Sequence, residues 1–116
     1  MEYTLEILDM ILFVDISGDL LGENTDQLVN TVKEKMVAEN LQLCGIDLSG
    51  IRYMNSSGIG TLINILNIFK QSEGEAMLLN PPPAVKKTLE MMKLHTVFSI
   101  VDSKEEAINQ LRKIII

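Results

Sequence analysis

Asn55-Ser56-Ser57-Gly58-Ile59-Gly60 is the stretch of this chain whose residue types could do chemistry. Three small polar side chains come first, then two glycines around one apolar residue. An apolar run, residues 41–48, stands before it, and a second apolar stretch follows from Ile59. Small polar residues at such a border mark a helix start, with its unpaired N–H groups and positive dipole end. Asn55, Ser56 and Ser57 are all good caps. Two readings follow. In one, the three residues only cap, and Gly58 and Gly60 allow close packing. In the other, a serine hydroxyl accepts or carries a phosphate, which a helix N-terminus favours.

Several enzyme readings fail on the same residues. Gly58-Ile59-Gly60 runs on into Thr61-Leu62-Ile63, so the third glycine of a dinucleotide fingerprint is missing. No Gly-Lys-Ser/Thr follows, which excludes a P-loop. Ser56 and Ser57 lack the Gly-x-Ser-x-Gly frame of a nucleophile elbow. The one histidine, His95, falls in an expected loop after the third helix, out of reach as a base for Ser56. One cysteine and one histidine cannot build a structural zinc site. Asp47 and Asp102 read as a strand end and a helix start. The expectation is a protein that is not an enzyme and holds no cofactor or metal.

The elements that must position this stretch are legible in the apolar pattern. Residues 2–8 and 10–17 read as strands around a turn at Asp9, close enough to form an antiparallel hairpin, with Gly18 ending the second. Residues 24–39 read as a helix capped by Asn24 or Thr25. Residues 41–48 are almost all apolar, as in a strand covered on both faces. A helix over 57–71, a strand over 76–79, a proline-led helix over 84–93 and a strand over 97–101 follow. Ser103 opens a last helix with a capping-box pattern. Alternating β and α units specify an α/β fold. Its sheet is mixed but mainly parallel, of about five strands, with the N-terminal hairpin antiparallel and about four helices flanking it. One domain over residues 1–116 is expected.

In such sheets ligands bind beyond the carboxyl ends of the strands. Three loops are expected there: residues 18–24, 49–57 and 80–83. In the second helix Ile59, Leu62, Ile63, Leu66 and Phe69 form one stripe. Ile65 and Ile68 fall off it, near Thr61 and Asn64, either as extra core or as an exposed partner surface. The tail Ile114-Ile115-Ile116 either packs on the last strand or meets another chain.

Composition narrows the partners. The net charge of -6 argues against nucleic acid, whose phosphates call for Lys and Arg. A protein partner would present basic surface. A lone cysteine, Cys44, in an apolar run suggests a buried thiol and a reducing compartment. The opening Met1-Glu2-Tyr3-Thr4 lacks a basic leader, and no apolar run approaches a membrane span. A cytoplasmic location is expected.

Asp47-Leu48-Ser49 through Asn55-Ser56-Ser57-Gly58-Ile59-Gly60-Thr61-Leu62 resembles the signature of STAS domains, specifically bacterial anti-sigma-factor antagonists. The likeness extends to Gly18-Asp19-Leu20 and to the ending 98–107, and so covers nearly the whole chain. The resemblance implies that Ser56, directly before Ser57-Gly58, is a phosphorylation switch. An anti-sigma factor with serine kinase activity would modify it, and a phosphatase would reverse the mark. The unmodified antagonist would bind the anti-sigma factor and free a sigma factor. Gly18, Asp19, Leu21 and Asn24 in the first loop, Asn55, Ser57 and Gly58 at the helix start, and Thr61, Asn64, Ile65 and Ile68 along the helix would form the partner surface. The chain departs from the family pattern at two places. Asn55 replaces the usual aspartate before the switch serine, and Leu21 stands where an acidic residue is frequent. STAS domains also serve as non-phosphorylated subunits of stress-signalling or lipid-transport complexes, which is the alternative reading. A small enzyme using Ser56 as nucleophile is the third.

Overall fold

A computed structural model describes residues 1–23 and 25–115, the side chains of Ile114 and Ile115 excepted. Strands β1 (Glu2–Leu8) and β2 (Ile11–Leu20) form the antiparallel hairpin. Asp9 and Met10 make its two-residue turn, with φ of 54° and 62°. Two left-handed residues give the turn whose twist matches that of the strands. Then come α1 (Asp26–Ala38), β3 (Leu43–Met54), α2 (Ser56–Gln71), β4 (Glu75–Leu79) and α3 (Pro83–Met91). A short 3-10 helix (Leu94–Thr96), β5 (Ser99–Val101) and α4 (Lys104–Ile115) complete the chain.

The strands lie in chain order, β1-β2-β3-β4-β5, with every pair after the hairpin parallel. The mixed sheet, the hairpin and the four helices are those expected from the sequence. Helices α1, α2 and α3 cover one face. Leu28, Val32, Ile59, Leu62, Leu66, Val85 and Leu89 pack there on Leu12, Val14, Ile16, Cys44, Ile46 and Leu48. Helix α4 covers part of the other face, with Ala107 and Leu111 on Ile11, Phe13, Leu43, Met77 and Leu79. Burial on both faces is why residues 11–14 and 43–46 are apolar without alternation.

Two strands run further than their apolar pattern. β2 passes Gly18 and ends at Leu20, and β3 passes Leu48 and ends at Met54. The extensions pair with each other, Gly18 with Ile51, Asp19 with Tyr53 and Leu20 with Met54, across register shifts on either side of Ser17-Gly18. Gly18 takes a φ of 87° there, which glycine adopts without strain. The expected loop over 49–57 is therefore mostly strand, and only Asn55 separates β3 from α2.

Candidate functional site

The site is the start of α2, held between the ends of β2 and β3. Asn55 is extended, and its side-chain oxygen accepts the Gly58 N–H at 2.8 Å. Its own N–H donates to the Leu20 carbonyl at 3.3 Å, tying the cap to the end of β2. Gly58 is buried against the same carbonyl, and a Cβ there would overlap the Leu20 oxygen. Gly22, with a φ of 82°, lies so close to Ser57 that a Cβ would overlap the serine's own Cβ. The β2–α1 connection and the first turn of α2 thus interlock through two glycines.

The second tie is polar. Thr25 and Thr61 are buried, and the Thr61 hydroxyl lies 3.1 Å from that of Thr25. Thr25 in turn donates to the Gly22 carbonyl at 3.0 Å. Thr25 occupies the N-cap position of α1 but makes no side-chain cap there, and Asn24, the other cap expected, lies outside the described residues. The Thr25 hydroxyl is turned inward because Thr61 faces it across the α1–α2 contact. Neither apolar periodicity nor cap rules could have revealed this pair, since it joins residues remote in sequence.

With Asn55 acting as cap, Ser56 is left as the exposed first residue of the helix. By helix geometry the N–H groups of Ser56 and Ser57 have no intrahelical acceptor. The hydroxyl of Ser56 therefore stands in solvent beside unpaired donors and the positive end of the dipole.

The other expected site residues divide by burial. Ser57 and Asn64 are exposed, while Gly18, Asp19, Leu21, Asn55 and Ile68 are half-buried. Three expectations need correction. Ile65 is 0% exposed and Thr61 5%, and Gly58 is buried against backbone, so none of them presents a surface to a partner. Ile65 belongs to the main core because α2 buries a broad face, in contact with α1 as well as the sheet. The stripe read from the sequence was rotated: Ile63 is the half-buried residue and Ile65 the core one. Gly60, expected to aid packing, has nothing within 4 Å of where its Cβ would be. Asn24 lies outside the described residues, as do the side chains of Ile114, Ile115 and Ile116.

The sequence reading missed Arg52 and Tyr53. Both are exposed at the end of β3, and Arg52 Nη2 lies 3.5 Å from Asp19 Oδ1 across the strand pair. Solvent screens such a pair, so it contributes little stability.

Other groups have different environments. Burial pushes the Cys44 thiol well up, as befits an inert core cysteine. His95 lines a cleft of about 540 Å³ with Lys86, Glu90, Phe98, Asp102 and Gln110, and Ser56 is not part of it. Among the described residues no helix is long and apolar enough to cross a membrane, and no group of His, Cys, Asp and Glu could hold a metal.

Comparison with known proteins places this architecture. The sequence model of the STAS domain matches residues 2–107. The chain belongs to the STAS domain family. Among STAS relatives, an anti-sigma F factor antagonist of Lysinibacillus sphaericus is 27% identical, covering 93% of this chain and 95% of the relative. Another, from Paenibacillus polymyxa, is 25% identical over 87% of this chain and 86% of its own length. Among solved structures, the Thermotoga maritima protein TM1081 superposes with a TM-score of 0.85 at 23% identity, over 95% of this chain and 94% of that one. SpoIIAA in its unphosphorylated form, described as an anti-sigma factor antagonist, gives a TM-score of 0.74 at 20% identity over 96% and 98%. The phosphorylated form of Bacillus SpoIIAA has the same fold, with a TM-score of 0.72 at 20% identity over 94% and 98%.

Proposed function

We propose that this STAS domain is an anti-sigma-factor antagonist whose partner binding is switched off by phosphorylation of Ser56. The observation that carries the reading is the exposed hydroxyl of Ser56 at the first position of α2, next to a cap supplied by Asn55. The names of the curated relatives support the same role, as does a STAS fold solved both with and without phosphate. The unmodified chain binds an anti-sigma factor that is also a serine kinase, and so frees a sigma factor. A phosphatase resets the switch. The chain itself performs no catalysis.

A phosphoserine adds about 1.5 to 2 negative charges at neutral pH. At the start of α2 these meet unpaired N–H groups and the favourable dipole end, worth roughly 0.3–1 kcal/mol when exposed. Asn55 in place of aspartate also removes one like charge from beside the phosphate. The fold tolerates the modification. A partner surface fitted to a neutral Ser56 does not, because like charges brought together at an interface cost several kcal/mol. The release is local and needs no refolding.

Phosphosite mapping by mass spectrometry of the chain recovered from its own cells tests the assignment. One phosphate on Ser56, lost in Ser56→Ala and kept in Ser57→Ala, is the expected result. Phosphate on Ser57 instead, or on neither serine, would contradict it.

A further inference from the structure

We propose that two copies of this chain associate through the outer edge of β1, pairing it antiparallel with itself about Leu5. β1 is an end strand of the sheet, seven residues long, against three in β5 at the other end. An open edge of that length offers a row of backbone donors and acceptors to another strand. The two-residue turn makes Leu8 and Ile11 a hydrogen-bonded pair, so Glu2, Thr4, Glu6 and Leu8 direct their backbone groups toward β2. Tyr3, Leu5 and Ile7 therefore direct theirs outward.

The side chains select the occupant and the register. A two-fold axis perpendicular to the sheet pairs only residues that share a face. With Leu5 opposite Leu5 of the second copy, Tyr3 meets Ile7, Thr4 meets Glu6 and Glu2 meets Leu8. All seven residues then find a partner, and no carboxylate opposes another. Shifting the axis to Thr4 sets Glu2 against Glu6. Shifting it to Glu6 sets that carboxylate against its own copy. Like charges directly opposite destabilise a strand pair.

The apolar residues agree with the same register. Met1, at one end of the strand, is 40% exposed, and Leu8 and Met10, at the other, are 41% and 63% exposed. Pairing about Leu5 sets Met1 of one copy beside the Asp9-Met10 turn of the second copy, and Leu8 beside Glu2. Met1 and Met10, exposed apolar side chains with no role in either core, thus come together. The axis also points the two α2 starts toward opposite ends of the pair, so each Ser56 stays open. This association is independent of the switch.

A single strand edge buries little surface, so the dimer should be weak and concentration-dependent. Sedimentation velocity across a concentration series reads it, with thermal melts confirming that the variants fold. Thr4 is exposed, which makes it the probe. Thr4→Glu places carboxylates opposite each other twice per dimer and should raise the dissociation constant roughly fivefold or more. Thr4→Lys faces Glu6 of the second copy, which already pairs with its own Lys104 at 2.9 Å, and should lower it by a smaller factor, roughly twofold. A monomer at every concentration up to about 1 mM, the scale of a small interface, would overturn the proposal. So would a dimer indifferent to both changes.

Discussion

Gly58 and Gly60 sit two residues apart in the first turns of α2 and meet different surroundings. Behind Gly58 is the Leu20 carbonyl, too near for any side chain, while Gly60 faces open space. The same division runs through the rest of the turn. Thr61 is buried on Thr25, and Asn55 is bonded to Gly58 and Leu20. Ser56 and Asn64 face solvent. One side of the helix start is anchored by backbone contacts, and the other is free. A binding switch needs both, because a hydroxyl on a fixed frame changes what a partner meets without changing the fold.

Substitutions can break that contrast, beginning with the strongest effect. Gly58→Ala forces a methyl into the Leu20 carbonyl, where backbone must move and the Asn55 N–H loses its acceptor. A loss of about 3 kcal/mol is expected, at the upper end of overpacking. A thermal melt should drop by roughly 10 °C. Asn55→Ala removes the cap and should cost about 1 kcal/mol, whereas Asn55→Asp keeps the cap and its stability. Denaturant titration distinguishes the two.

Gly60→Ala acts with the opposite sign. Alanine in an open helix position should stabilise the fold by roughly 0.5–1 kcal/mol, the difference in helix propensity. Destabilisation there would show that the free side is not free. The smallest effect lies away from the helix, at Asp15, and serves as a control. Burial first, then neighbouring Asp47, holds its carboxyl above the ordinary 3.8, although Lys104 opposes the shift. Because the folded value is the higher one, stability falls as pH rises through that window. Asp15→Asn should therefore be more stable than the parent at neutral pH, by an advantage that vanishes below about pH 4. Partner binding should not change.

Much of this arrangement could be read from residue order, and the exceptions share a cause. The apolar runs at 11–14 and 43–46 announce strands covered on both faces, and Ser103 announces α4. Asn55 followed by serines and a glycine announces a capped helix start. Residues 49–54 do not announce a strand, because Ser49, Gly50, Arg52 and Tyr53 have no pattern of their own. They extend only because the end of β2 pairs with them. Ile65 misled for a related reason: a stripe drawn for one contact surface omits residues on the wider face that α2 buries. Thr25 and Thr61 depend on the same α1–α2 contact. What is local was legible, and what needs a distant partner was not.

Titration calorimetry of an anti-sigma partner against the unmodified and the Ser56-phosphorylated chain tests the proposed switch. The phosphorylated form should bind at least about a hundredfold more weakly, the scale of a several-kcal/mol repulsion. Equal affinities for the two forms would contradict it.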